Sequence, residues 1–151
     1  MDRHQGFSWA QTTTGTVHVG VSRGVAIAEI SAIVHKFRSD SNLSHYADYV
    51  EFKFGVGLRT GETAALLWQH CSPECDRIWI GESLSNGSRK STKTNKARTV
   101  PLTPRLQQLL KNRRAKDGRP DDLIFTSTNG SAIDSKNFCN RYWKPAPLLT
   151  S

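Results

Sequence analysis

The chain has 151 residues, enough for about one ordinary domain with a real buried core. Its hydrophobic fraction of 36% is low for a globular protein but above the range of a disordered one, and no apolar run approaches the roughly 18–20 residues of a membrane-spanning helix. The formal net charge of +8 is unevenly placed: residues 1–75 carry six Lys or Arg against seven acids, residues 76–151 fifteen against six. A one-sided basic half is the footprint of a polyanion binder, with nucleic acid the default partner and a merely solvated cationic surface the plain alternative.

Residues 1–25 are rich in Thr, Gly, Ser and Gln without a clear period, and are expected to form a poorly ordered leader. No secretory signal is expected there. Residues 25–37 place Ile30, Ile33, Val34 and Phe37 at i, i+3, i+4, i+7, the stripe of an amphipathic helix. The turn cluster Ser39-Asp40-Ser41-Asn42 supplies the cap for a second helix over residues 43–56, with Tyr46, Val50 and Phe54 on one face. Gly57 can take the left-handed conformation that stops this helix. A third helix is expected from Thr60 or Gly61, carrying Ala64, Ala65, Leu67 and Trp68, with Glu62 in its first turn where a carboxylate suits the helix dipole.

Beyond the turn at Pro73, strands are expected at 78–80, 88–92 and 98–102, with Asn86-Gly87 as a hairpin turn and Thr94-Asn95 as another. Thr103-Pro104 opens a further helix with Leu106, Leu109 and Leu110 inward. Leu123-Ile124-Phe125 reads as a short strand. Asp134 caps a last helix in which Ile133 staples onto Phe138 and Tyr142 and Trp143 extend the apolar face. The expected fold is therefore α+β, mainly α-helical, with a small three-stranded antiparallel sheet. Cys71, Cys75 and Cys139 are an odd number with no export signal, which fits a reduced, cytoplasmic setting. His70, Cys71 and Cys75 lack the second close pair that a zinc site needs, so no metal is expected.

Two basic elements carry the chemistry. One is Gly57-Leu58-Arg59-Thr60-Gly61-Glu62. The other spans residues 89–102, where Arg89, Lys90, Lys93, Lys96 and Arg98 fall with no acid among them. Taken alone, Arg59 is an ordinary exposed Arg, or one paired to Glu51 or Glu62, and Lys93 a soluble turn residue. In their order (helix, Gly-Leu-Arg-Thr-Gly-Glu, helix, strand, hairpin, Lys-Thr-Asn-Lys-x-Arg-x-Val-Pro-Leu, helix, Leu-Ile-Phe) they resemble the catalytic domain of the tyrosine recombinases, the phage integrase family, over residues 26–143.

That resemblance implies a role for each. Arg59 would hold two non-bridging oxygens of a scissile phosphate with its planar fork. Glu62 would orient the site from the helix start. Lys93, with Lys90 as the alternative, would protonate the departing 5′ oxygen. Arg89, Lys90, Lys96 and Arg98 would contact DNA. The chemistry implied is transesterification through a 3′-phosphotyrosyl link, with side-chain cations and no metal or nucleotide cofactor.

The sequence departs from the family pattern in its later part. No His follows His70, so the family's His-x-x-Arg element is absent, and none of Tyr46, Tyr49 and Tyr142 matches the nucleophile position. The expectation is a partial catalytic domain at 26–144 with a truncated tail at 145–151. It would bind double-stranded DNA, and full-length recombinase protomers as a further partner, but be inactive alone. No membrane and no small-molecule substrate are expected. The alternative is a non-catalytic DNA- or RNA-binding basic module. A truncated domain would also expose Phe125, Phe138 and Trp143.

Overall fold

The computed structural model of the protein describes residues 27–85, 87–91, 97–114, 118–138 and 141. The leader expected at 1–25, Cys139, Tyr142, Trp143 and the tail at 145–151 lie outside them. The described chain runs α1 (Ile27–Ser39), α2 (Ala47–Val56), α3 (Thr60–Ala64), β1 (Arg77–Ile80), β2 (Glu82–Ser85), β3 (Ser88–Ser91), β4 (Arg98–Pro101), α4 (Pro104–Arg113) and α5 (Ser135–Phe138). It is the expected mixture of helix and small antiparallel sheet. No helix among these residues is long and apolar enough to cross a membrane.

Helix α1 buries its stripe as expected: Ile33 and Phe37 are in the core, and Ile30 and Val34 pack on its edge. The chain leaves α1 at Asp40, whose carboxylate accepts the Asn42 amide at 2.8 Å. A 3-10 turn at Ser44–Tyr46 then leads into α2, where the expectation was a single helix from residue 43. Asp40 is the reason: its carbonyl accepts the amides of both Leu43 and Ser44, so the chain tightens before the α-helical pattern starts.

Helix α2 is apolar nearly all round. Ala47, Tyr49, Val50, Phe52, Phe54 and Val56 are all buried, where the sequence suggested one face. A helix of that composition belongs in the middle of its domain. Its two carboxylates point outward to neighbouring helices. Arg38 of α1 donates to Asp48 at 2.8 Å and to Glu51 at 2.6 Å. Arg105 of α4 grips Glu51 with Nε at 2.7 Å and Nη2 at 2.9 Å, and Arg113 reaches Asp48 at 3.1 Å. Three arginines thus tie α1 and α4 to the central helix.

The aromatic core closes over α2 from the far end of the chain. Phe138 of α5 lies 5.3 Å from the Tyr46 ring, 5.1 Å from Tyr49 and 6.2 Å from Phe37. Phe125 lies 5.5 Å from Phe52. Asp134 accepts the Asn137 amide at 3.0 Å, the expected cap, and Ile133 is buried beside it. Phe125 and Phe138 are only 1% and 5% exposed, so the expectation that they would lie uncovered is wrong. The chain's own α1 and α2 cover them.

The sheet differs in its pairing. Instead of one three-stranded sheet, the described residues form two antiparallel ladders, β1 with β4 and β2 with β3. In the first, Ile78 faces Val100 and Ile80 faces Arg98; in the second, Glu82 faces Ser91 and Ser85 faces Ser88. The cause is the two-residue connection after Ser85. It folds residues 88–91 back on residues 82–85, a polar segment with little strand signal of its own, and Gly87 takes φ 76° to allow the turn. Helix α3 is also shorter than expected and ends at Ala64. Leu67 leaves it to pair with Leu123 as an isolated bridge, which is all that forms of the strand expected at 123–125.

Two outcomes are expected. Replacing Phe138 with Ala should cost about 3–5 kcal/mol in urea unfolding, because one ring fills the space between α1, α2 and α5. Hydrogen bonding from Arg105, with that from Arg38, holds the Glu51 carboxyl below its ordinary range against the opposing effect of burial. A depressed folded-state pKa gives stability that is present above the ordinary carboxyl range, about pH 4.3, and lost as pH falls through the folded value. Acid titration of Tm should show that loss, and Glu51→Gln should flatten it.

Candidate phosphate-binding site

The site grows out of the end of α2. Gly57 sits at φ 84°, ψ 40°, and its amide closes on the Lys53 carbonyl at 3.0 Å. This left-handed cap turns the chain, and Leu58 anchors it in the core. Arg59 follows in extended conformation at the start of α3. Its main chain is held on both sides. Its amide donates to Glu62 Oε1 at 3.0 Å, while its carbonyl accepts the Thr63 amide at 3.0 Å and the Thr63 hydroxyl at 2.9 Å. The Tyr49 hydroxyl donates to the next carbonyl, that of Thr60, at 3.3 Å. The Arg59 side chain is exposed, and its guanidinium makes no ion pair with a described residue. The pairing with Glu51 or Glu62 suggested by the sequence is therefore limited to the main chain.

Glu62 has a second bond. Its Oε2 lies 3.5 Å from the Arg98 guanidinium, and its side chain is only 12% exposed. Arg98 opens β4, immediately beyond the segment that carries Lys93 and Lys96. One carboxylate therefore fixes the Arg59 backbone and the far stem of the lysine segment together. Lys93 and Lys96 themselves lie outside the described residues.

Arg89 and Lys90, on β3, behave differently from each other. The Lys90 side chain is exposed and has no hydrogen bond or ion pair among the described residues. Arg89 is turned inward. Its Nη1 donates to the Ala65 carbonyl at 2.7 Å and to Glu82 Oε1 at 2.8 Å. His70, buried, accepts the Leu67 amide at Nδ1 and brings Nε2 to 3.7 Å from the same Glu82 oxygen. Glu82 was not expected to matter; the only sequence hint is an acid set near a basic residue across a two-residue turn.

Gly61 explains how close the two elements come. A Cβ built there would lie 2.8 Å from the Leu84 carbonyl oxygen of β2 and 2.9 Å from the Ser83 hydroxyl. Only glycine lets α3 rest on the hairpin. Trp79, the one aromatic residue available on the strands for stacking a base, is already packed. Its ring lies 5.0 Å from His70 and over Gly81.

The phage integrase family profile matches residues 25–146, and the chain belongs to that family. No curated protein gave a match. Among solved structures, the Tn1549 transposon integrase in complex with a circular intermediate DNA is similar, at 15% identity and a TM-score of 0.67 over 85% of this chain and 44% of that one. A second complex of that integrase with circular intermediate DNA gives 20% identity and 0.64, over 85% and 45%. XerA recombinase gives 17% and 0.53, over 85% and 42%. At these identities the likeness establishes the fold. The chain spans less than half the length of each of them.

A methyl group at position 61 should push α3 off β2. Gly61→Ala is expected to lower stability by about 1–3 kcal/mol in chemical denaturation, with the largest shifts in amide spectra at Ser83, Leu84 and Thr63.

Proposed function

We propose that this chain carries the phosphate-holding part of a tyrosine-recombinase strand-exchange site and binds double-stranded DNA in the cytoplasm. The observation that carries this reading is Arg59: an exposed guanidinium with no ion-pair partner among the described residues, on a main chain pinned by Glu62 and Thr63. A fork held in place by its backbone keeps its charge and its donors for an incoming phosphate. Lys93 then stands as proton donor to the leaving 5′ oxygen, with Lys90 as the alternative. Lys90, Lys96 and Arg98 contact the DNA backbone around them, Arg98 while also steadying Glu62.

The nucleophile is a different matter. Tyr46 and Tyr49 are 3% and 1% exposed, and burial pushes the Tyr49 phenol well above its ordinary value. A buried, protonated phenol facing a carbonyl cannot attack phosphorus. The sequence has no His-x-x-Arg after Glu62 to hold the second set of phosphate oxygens. In this reading the nucleophile and the second arginine for strand cleavage come from full-length family protomers bound to the same DNA.

Binding of a DNA duplex, followed by fluorescence anisotropy from 50 to 200 mM salt, tests the reading. Affinity should fall steeply with salt, and Arg59→Ala should lower the log–log slope by about one with Tm unchanged. A salt-independent affinity would refute it. A suicide DNA substrate should give no covalent adduct with the chain alone. An adduct abolished by Tyr142→Phe would show a working nucleophile and overturn the incomplete-site part.

A further inference from the structure

We infer that Arg89 and Glu82 are positioning residues: a clamp that seats the β2–β3 hairpin on the turn after α3 and so fixes Lys90 and the end of β3 relative to Arg59. The inference rests on the reading of the site above and reassigns Arg89, which the sequence placed among the DNA contacts. Its basis is geometric. The β2–β3 hairpin is polar, its residues are half-buried or exposed, and Leu84 is the one apolar side chain it packs against the core, too little burial to fix its orientation. Three contacts orient it instead. Gly61 lets the α3 backbone rest on the Leu84 carbonyl. Arg89 Nη1 bridges from Glu82, on the paired strand, to the Ala65 carbonyl at the end of α3. The buried His70 approaches Glu82 from the turn beyond α3.

Arg89 is thus the only described side chain that bonds β3 to the segment leading from Arg59 and Glu62. Its two acceptors lie at 2.7 and 2.8 Å, on one nitrogen, and its side chain is 23% exposed. A cation so engaged is poorly placed to reach a phosphate, since doing so would strip Glu82 and the Ala65 carbonyl of their donor. Lys90, its neighbour on β3, is exposed. The alternation of a strand sends successive side chains to opposite faces. Fixing Arg89 inward therefore fixes Lys90 outward, and with it the start of the segment that reaches Lys93 two residues after β3 ends at Ser91.

The test uses two substitutions with opposite charge changes. Arg89→Gln removes a positive charge from the chain, and Glu82→Gln removes a negative one. If Arg89 were a phosphate contact, the first would weaken DNA binding and the second would leave it equal or tighten it. The clamp predicts the same direction for both, a loss of about threefold to tenfold in duplex affinity at constant salt. It also predicts amide exchange at Arg89 and Lys90 faster by about tenfold, with exchange in α4 unchanged. Opposite directions in affinity, or unchanged exchange in the hairpin, would overturn it. Should either variant unfold, Arg89→Met, which keeps the length of the stem and loses both donated bonds, is expected to show the same faster hairpin exchange. Failure of the wild-type chain to bind DNA would refute the functional reading alone, because the exchange experiment needs no DNA and still decides whether the clamp exists.

Discussion

The burial of α2 is the constraint on which the other elements depend. A ten-residue helix with six buried side chains has to be enclosed, and α1, α4, α5 and the Phe125 segment do the enclosing. Its two polar exits, Asp48 and Glu51, are met by Arg38, Arg105 and Arg113. Removing one partner from such a half-buried network leaves the others facing an uncompensated charge, so the network specifies how the helices meet as much as it stabilises them. Because α2 is fixed, its C-terminus is fixed, and the Gly57 turn delivers Arg59 to a defined place.

The division of labour among the cations follows from this. The net charge of +8 is concentrated after residue 76, which reads as a surface for a polyanion. Much of that charge is spent inside the fold. Arg105 and Arg113 hold α2, Arg114 stacks on Trp68 at 5.1 Å and donates to the Pro73 carbonyl, Arg98 holds Glu62, and Arg89 holds Glu82. Exposed and with no side-chain partner among the described residues are Arg59, Lys90, Lys111, Arg119, Lys136 and Arg141. Charge counted along a sequence overstates the charge offered to a polyanion, because Arg is also the residue that best ties carbonyls and carboxylates together in a core.

Local signals were the legible ones. The α1 stripe, the Gly57 stop, the Thr103 cap with its bond to the Leu106 amide, and the Asp134 cap depend on neighbours within four residues, and all appear. What escaped was decided at long range. Whether Ser83-Leu84-Ser85 is a strand depends on its partner across the turn, since nothing in those residues favours a sheet. The all-round burial of α2 depends on Phe125 and Phe138, more than seventy residues away. The pairing of Arg59 with Glu62 was identifiable because their motif fixes a local backbone geometry. The inward turn of Arg89 was not, because its acceptors, Ala65 and Glu82, come from two separate elements.

Within Gly57-Leu58-Arg59-Thr60-Gly61-Glu62, most positions serve the main chain. Gly57 supplies a left-handed turn, Leu58 an anchor, Gly61 clearance over a carbonyl and Glu62 an acceptor for an amide. Arg59 alone offers its side chain outward. A motif built this way is chiefly a folding instruction that happens to present one chemical group. It would be retained for the sake of the fold even in a protein that no longer cuts DNA, so its presence reports ancestry and architecture more reliably than it reports activity.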